Sequence, residues 1–147
     1  MKKNKLVALC NQHIQVKLVS IETKLNELNE SLQSETKSSV GDKYETSRAL
    51  LHQEIDQLKA QLQYQNQLLL GLNKTLKENC YQVEEGALVM TDQISYFICV
   101  PLGKIYMDSD LIQVVSKEAP LVVASWGLYR GDSFQMNQKK LKIIDIF

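Results

Sequence analysis

Two runs of regularly spaced apolar residues, parted by a short polar stretch, dominate the first half of the chain. Val7, Asn11, Ile14, Leu18, Ile21, Leu25, Leu28 and Leu32 recur at alternating steps of four and three. Tyr44, Arg48, Leu51, Ile55, Leu58, Leu62, Gln65, Leu69, Leu72 and Leu76 do the same. Such spacing is the seam of a helix that packs against another helix. The polar stretch from Ser34 to Thr46 is short, so the two helices are expected to be antiparallel neighbours, the first over 4–33 and the second starting near Asp42. Folding the chain about Ser38 pairs residues whose numbers sum to 76. Leu25 then faces Leu51, Ile21 faces Ile55, Leu18 faces Leu58, and Asn11 meets Gln65. A buried amide pair in that register satisfies itself, whereas a slipped register leaves each amide against leucine. From Val7 to Leu32 the arm would reach roughly 37 Å at 1.5 Å per residue.

The texture changes after the second run. Gly71 and Asn73 mark the expected end of the hairpin, with fraying as far as Glu78, and Lys77–Gly86 reads as a linker. Beyond it the pattern has period two or short apolar runs. Residues 87–91, 95–100, 104–107, 111–116 and 141–147 read as strands, punctuated by Asp92-Gln93, Pro101-Leu102-Gly103 and Asp108-Ser109-Asp110. Residues 119–127 read as a short helix, with Pro120 in its first turn and Gly127 past its end. Arg130-Gly131-Asp132-Ser133 reads as a turn. A small antiparallel sheet with one short helix is the α+β solution for a segment of this size.

Composition narrows the function classes. The chain has 147 residues, 44% hydrophobic and 23% charged, with a formal net charge of zero. No bulk attraction to nucleic acid or to a membrane is implied, and contact with either would need a local patch. Cys10, Cys80 and Cys99 are odd in number and form no C-x-x-C, so reduced thiols in a cytoplasmic protein are expected. Lys2, Lys3 and Lys5 before Leu6–Cys10 faintly imitate a secretion signal, but the apolar run is too short and reads as the opening turns of the helix. No run approaches transmembrane length. There is no P-loop, G-x-S-x-G or H-E-x-x-H, and His13 and His52 fall on separate helices.

The carboxylates that stand out are Asp42 and Glu45. Asp42-x-x-Glu45 at a helix start is a capping box, in which Asp42 accepts from the N3 amide and Glu45 reaches back. Residues three apart in a first turn also lie on one side and could share a hard divalent cation. Two carboxylates do not complete an octahedral shell, so the remaining ligands would come from a partner. Lys17, Lys24, Arg48 and Lys59 could meet phosphates, but they are interspersed with acids, as on a solvated helix face.

Two leucine-seamed helices, a tip reading Gly41-Asp42-Lys43-Tyr44-Glu45, and a β-rich second half carrying Pro120-Leu121, Ala124 with Gly127, Gly131-Asp132 and Ile143-Ile144-Asp145-Ile146 resemble the GreA/GreB transcript-cleavage factors of bacterial RNA polymerase. The chain departs from that family at Thr46, Arg48 and Ala49 after the tip acids, and at Ala119 before the proline. The resemblance implies an N-terminal antiparallel coiled-coil hairpin (residues 1–76) with an acidic tip. A small FKBP-like antiparallel β domain with one short helix (residues 77–147) would follow. It implies an accessory factor, not an enzyme by itself. The hairpin would enter the secondary channel of RNA polymerase. Asp42 and Glu45 would there help to hold a Mg²⁺ shared with the polymerase while backtracked RNA is cut near its 3′ end. No cofactor of the chain's own is implied, and DNA contact would be possible within the complex. Pro120 and Leu121 would belong to the docking surface, against their default roles as a helix start and a core residue. Two other readings stay open: a homologue that occupies the channel without supporting cleavage, and a peptidyl-prolyl isomerase whose aromatic site would draw on Tyr96, Phe97, Trp126 and Tyr129. Those four side chains suit the core of the small domain better.

Overall fold

A computed structural model describes residues 2–35 and 41–147, with the side chains of Glu35 and of residues 41–44 outside the description. The chain runs through α1 (Lys2–Glu35), α2 (Gly41–Thr75), β1 (Leu88–Thr91), β2 (Ser95–Ile98), β3 (Gly103–Met107), β4 (Asp110–Val115), α3 (Pro120–Ser125), β5 (Ser133–Met136) and β6 (Lys139–Ile146). This is the α+β arrangement of a long helical hairpin followed by a sheet and one short helix.

Packing divides the chain elsewhere than at residue 76. One unit holds the chain up to Gln12 together with Leu68–Phe147, and the other is the hairpin segment His13–Gln67. The ends of both long helices therefore belong with the sheet. Lys3 shows why: it is buried, and its Nζ donates to the main-chain oxygen of Phe147 at 3.1 Å and to the Cys80 sulfur at 3.6 Å. Lys2 and Lys5 pair with Asp110 and Asp108 at 3.4 and 2.6 Å. The basic opening stretch is thus a helix turn whose three ammonium groups each have a partner.

Within the hairpin unit, Ile21, Leu25, Ile55 and Leu58 form a buried cluster, with Leu28, Leu32 and Leu62 packed against it. Leu32 lies seven residues beyond Leu25, about 10 Å along its own helix, so it joins the cluster through the opposite helix. A register summing to 76 would set Leu32 level with Tyr44, more than a heptad from Ile55. The cluster instead fits pairs summing to about 83, Ile21 with Leu62, Leu25 with Leu58 and Leu28 with Ile55. The expected register is corrected by one heptad, a shift that preserves the apolar seam and is invisible to its spacing. Gln65 then stands level with Leu18. Asn11 is exposed, whereas Gln65 is 8% exposed and its Oε1 has no hydrogen-bond partner among the described residues.

In the sheet unit the seam also departs from strict heptads. Leu6, Cys10, Leu68, Leu72 and Thr75 are buried, while Val7 and Leu76 border an open groove of about 440 Å³. α2 continues past Gly71, the expected stop, because this glycine marks a close approach: a Cβ there would lie 2.6 Å from Val100 Cγ1.

The sheet order is β3-β4-β2-β1-β6-β5. The sheet is antiparallel as expected except at β2 and β4, which pair in parallel, Phe97 against Val114. The turn at Asp108 (φ 57°) folds β4 back on β3, and β4 inserts between β3 and β2, so it runs with β2. β5 was not expected as a strand. It pairs with β6 through Phe134 against Leu141. One sheet face closes over Val89, Tyr96, Ile98, Phe134, Leu141 and Ile143 with Leu121 and Val122 of α3. Tyr96 is fully buried, and its hydroxyl donates to Ser125 Oγ at 2.7 Å, which in turn donates to Leu121 O at 2.9 Å. That chain satisfies the polar atoms the core encloses.

Candidate functional site

α2 begins at Gly41, one residue before the expected start, so the backbones of Asp42 and Glu45 fall in its opening turns. Glu45 is exposed, and Arg48, three residues on and so on the same side of the helix, is half-buried. In the observed register Arg48 is level with the end of α1 and not with Leu28. The Asp42 side chain, and with it the capping box and the main proposed metal contact, lies outside the described residues.

Among the described residues no three His, Cys, Asp or Glu side chains gather where they could hold a metal. A single exposed carboxylate such as Glu45 suits a hard cation only as one ligand among several. Cys10, Cys80 and Cys99 are free and buried. Burial pushes the thiols of Cys10 and Cys99 up to about 12 and raises that of Cys80, so none is poised as a nucleophile. His13 titrates below its ordinary value, first through burial and second through the nearby Lys17 charge. Among the described residues no helix is long and apolar enough to cross a membrane.

The second candidate surface is α3. Pro120 is exposed at its first position, behind Ala119, which supplies no side-chain cap. Leu121 is 7% exposed and sits in the core with Val122. Its side chain thus packs inward, and of the pair expected at a docking surface only Pro120 is exposed. The exposed side of α3 and the turn after it carry Val123 and Trp126, with Tyr129 further along, all about half exposed or more. The aromatic core expected from Tyr96, Phe97, Trp126 and Tyr129 splits: the first two are fully buried, the last two face solvent. Tyr96 and Phe97 can thus line no open isomerase site. The outward set was missed because Leu121-Val122-Val123 is uniformly apolar, so period alone does not say which residue turns inward.

No protein-family model matches the sequence, and no curated protein matches it significantly. Among solved structures the chain is similar to the crystal structure of GreA factor homolog 1 (Gfh1) of Thermus thermophilus. The identity is 16% and the TM-score 0.38, over 95% of each chain. A likeness this distant does not determine function.

Proposed function

We propose that the protein is an accessory factor of RNA polymerase whose hairpin enters the secondary channel and, through Asp42 and Glu45, stimulates the polymerase's own cleavage of backtracked RNA. The observation that carries this reading is the placement of the Gly41-Asp42-x-x-Glu45 motif. It opens the second of two helices, 34 and 35 residues long, at the connection between them. The Mg²⁺ belongs to the polymerase, where it would polarise the attacking water and steady the leaving oxygen. Asp42 and Glu45 add negative oxygen ligands to it, and the sheet unit supplies the contact that holds the factor on the enzyme.

A second reading is favoured by one feature: Thr46, Arg48 and Ala49 after the tip acids depart from the pattern of the family the sequence resembles, and Arg48 adds a positive charge three residues from Glu45. On that reading the hairpin fills the channel and modulates transcription without supporting cleavage. The two separate in an assay on a stalled elongation complex of the cognate polymerase. Shortening of the nascent RNA from its 3′ end, faster with the protein than without it, supports the first reading. Binding to the polymerase with no change in cleavage supports the second.

A further inference from the structure

Lys3 is the one buried lysine among the described residues, and its ammonium group meets no Asp or Glu side chain there. Its Nζ lies 3.6 Å from the sulfur of Cys80, itself 3% exposed, and 3.1 Å from the main-chain oxygen of Phe147. Burying an ammonium group without a carboxylate is costly, and a thiol is only a weak acceptor for it. The contact joins residues 77 apart in sequence, in the first turn of α1 and in the segment after α2, within one packing unit. Lys3 also lines the open groove of about 440 Å³, with Asn4, Val7, Leu76 and Lys77, so a small solute reaches the edge of this contact. Two nucleophilic atoms are thus held together away from the candidate surfaces described above.

We propose that Lys3 and Cys80 form a redox-sensitive clasp, in which oxidation of the thiol by hydrogen peroxide leads to a sulfur–nitrogen bond between the two side chains. In the first step the Cys80 sulfur attacks peroxide and the O–O bond breaks. The sulfur gains a hydroxyl and is oxidised to a sulfenic acid, while the other peroxide oxygen is reduced and leaves as water. In the second step Lys3 Nζ attacks that sulfur, and the S–N bond forms as the S–O bond breaks. The hydroxyl departs as water with one ammonium proton, a second proton passes to solvent, and a sulfenamide remains. Sulfenic acids condense with thiols or with nitrogen, and Lys3 is the nitrogen in contact. The site also favours Cys80 over the other thiols. Burial raises Cys80 while the Lys3 and Lys77 charges pull it back, whereas burial pushes Cys10 and Cys99 up to about 12 with no such cation beside them. The minor thiolate form of Cys80 reacts, so the clasp closes slowly and answers to sustained oxidant. Once closed it restricts the unfolded chain as a disulfide does.

The test is mass spectrometry of the full chain after exposure to hydrogen peroxide, without polymerase. Expected is a loss of two hydrogens, mapped to a tryptic peptide that joins the start of α1 to the segment holding Cys80 and reversed by a thiol reductant. Lys3→Arg keeps the charge and should abolish the cross-link, as should Cys80→Ser. Wild type treated in urea should form none, because its Lys3 and Cys80 are then no longer held in contact. The linked protein should also have a higher urea midpoint than the reduced one. Absence of the cross-link overturns the proposal, as does oxidation of Cys80 with Lys3 left free. So does earlier oxidation of Cys10 or Cys99, equal cross-linking in urea, or a linked chain that resists urea no better. None of these results depends on whether RNA cleavage is stimulated, so the two proposals fail separately.

Discussion

Gly86 approaches the main-chain oxygen of Thr75 so closely that a Cβ at residue 86 would lie 2.3 Å from it. Gly86 also has φ +91°, where side chains are strained, and its amide donates to Ile98 O at 2.7 Å. The turn after α2 is thus built on the absence of a side chain. Gly86→Ala is expected to cost about 3 kcal/mol or more, since backbone strain and a clash with rigid backbone add. Gly103→Ala has a similar φ but meets nothing within 4 Å, and should cost about 1 to 2 kcal/mol. Urea titrations of both variants check the difference, and equal costs would show that the close approach does not matter.

Gln65 buries an amide oxygen with no partner in an otherwise apolar seam. Gln65→Leu should therefore stabilise the protein by about 1 kcal/mol, as removal of an unsatisfied polar group does. Asn11→Leu, at an exposed position, should change stability by no more than about 0.5 kcal/mol. If Gln65→Leu destabilised and Asn11→Leu did so equally, the two amides would be partners after all, and the register summing to 76 would be restored.

Stability should fall in alkali. Burial pushes Cys10 and Cys99 up to about 12 from 9.0, raises Cys80, and pushes Tyr96 up to about 12 from 10.0. The folded state holds these protons more tightly than the unfolded chain. Their contribution is therefore complete below the ordinary thiol value and is lost as pH rises from there through the folded values. Each group adds a slope of about 1.4 kcal/mol per pH unit across its window. Urea midpoints measured from neutral pH into alkali should drop, and Cys99→Ala should show a shallower drop whatever its stability at neutral pH.

Leu121 and Val123 are two residues apart on α3 yet are 7% and 64% exposed. Leu121→Arg forces a charge into the core and should cost about 3 kcal/mol or more, with loss of dispersed amide signals from the sheet. Val123→Asp should leave the fold intact. If α3 docks on polymerase, Val123→Asp and Trp126→Ala should each weaken binding about tenfold or more in a pull-down or titration with the cognate enzyme. Unchanged binding by both would remove α3 from the interface.

Asp42→Asn tests the chemistry of the tip. Asparagine keeps the size of aspartate in the first turn of α2, so stability should change by no more than about 1 kcal/mol, while the negative charge that a hard cation requires is gone. Stimulated cleavage should be abolished with polymerase binding preserved. Glu45→Gln should act in the same direction but more mildly, and added Mg²⁺ should partly restore either variant. Full cleavage by Asp42→Asn would defeat the metal-delivery reading.

The alternating four-and-three spacing by itself determined that two long helices pair in a hairpin, because only one face of each is apolar enough to leave water. Most strands and the short helix were legible in the same way, as period-two runs between Gly, Pro and Asp punctuation. The strand Ser133–Met136 was not: its Phe134 and Met136 alternate with polar residues, but the run is short and set between two turn-rich stretches. The register of the hairpin was decided only in three dimensions, since a heptad slip keeps the apolar seams together and changes mainly what the few polar seam residues, Asn11, Arg48 and Gln65, meet. Tertiary structure likewise decided that Gly71 permits close packing where a helix end was expected. Burial, a property of the whole sheet and its covering helix, turned Leu121 inward and Val123 outward where the sequence shows only a run of apolar residues. The start of the second helix was legible from the capping-box spacing of Asp42 and Glu45. The lysines of the β5–β6 ribbon were not, because only pairing across strands shows which of them share a face.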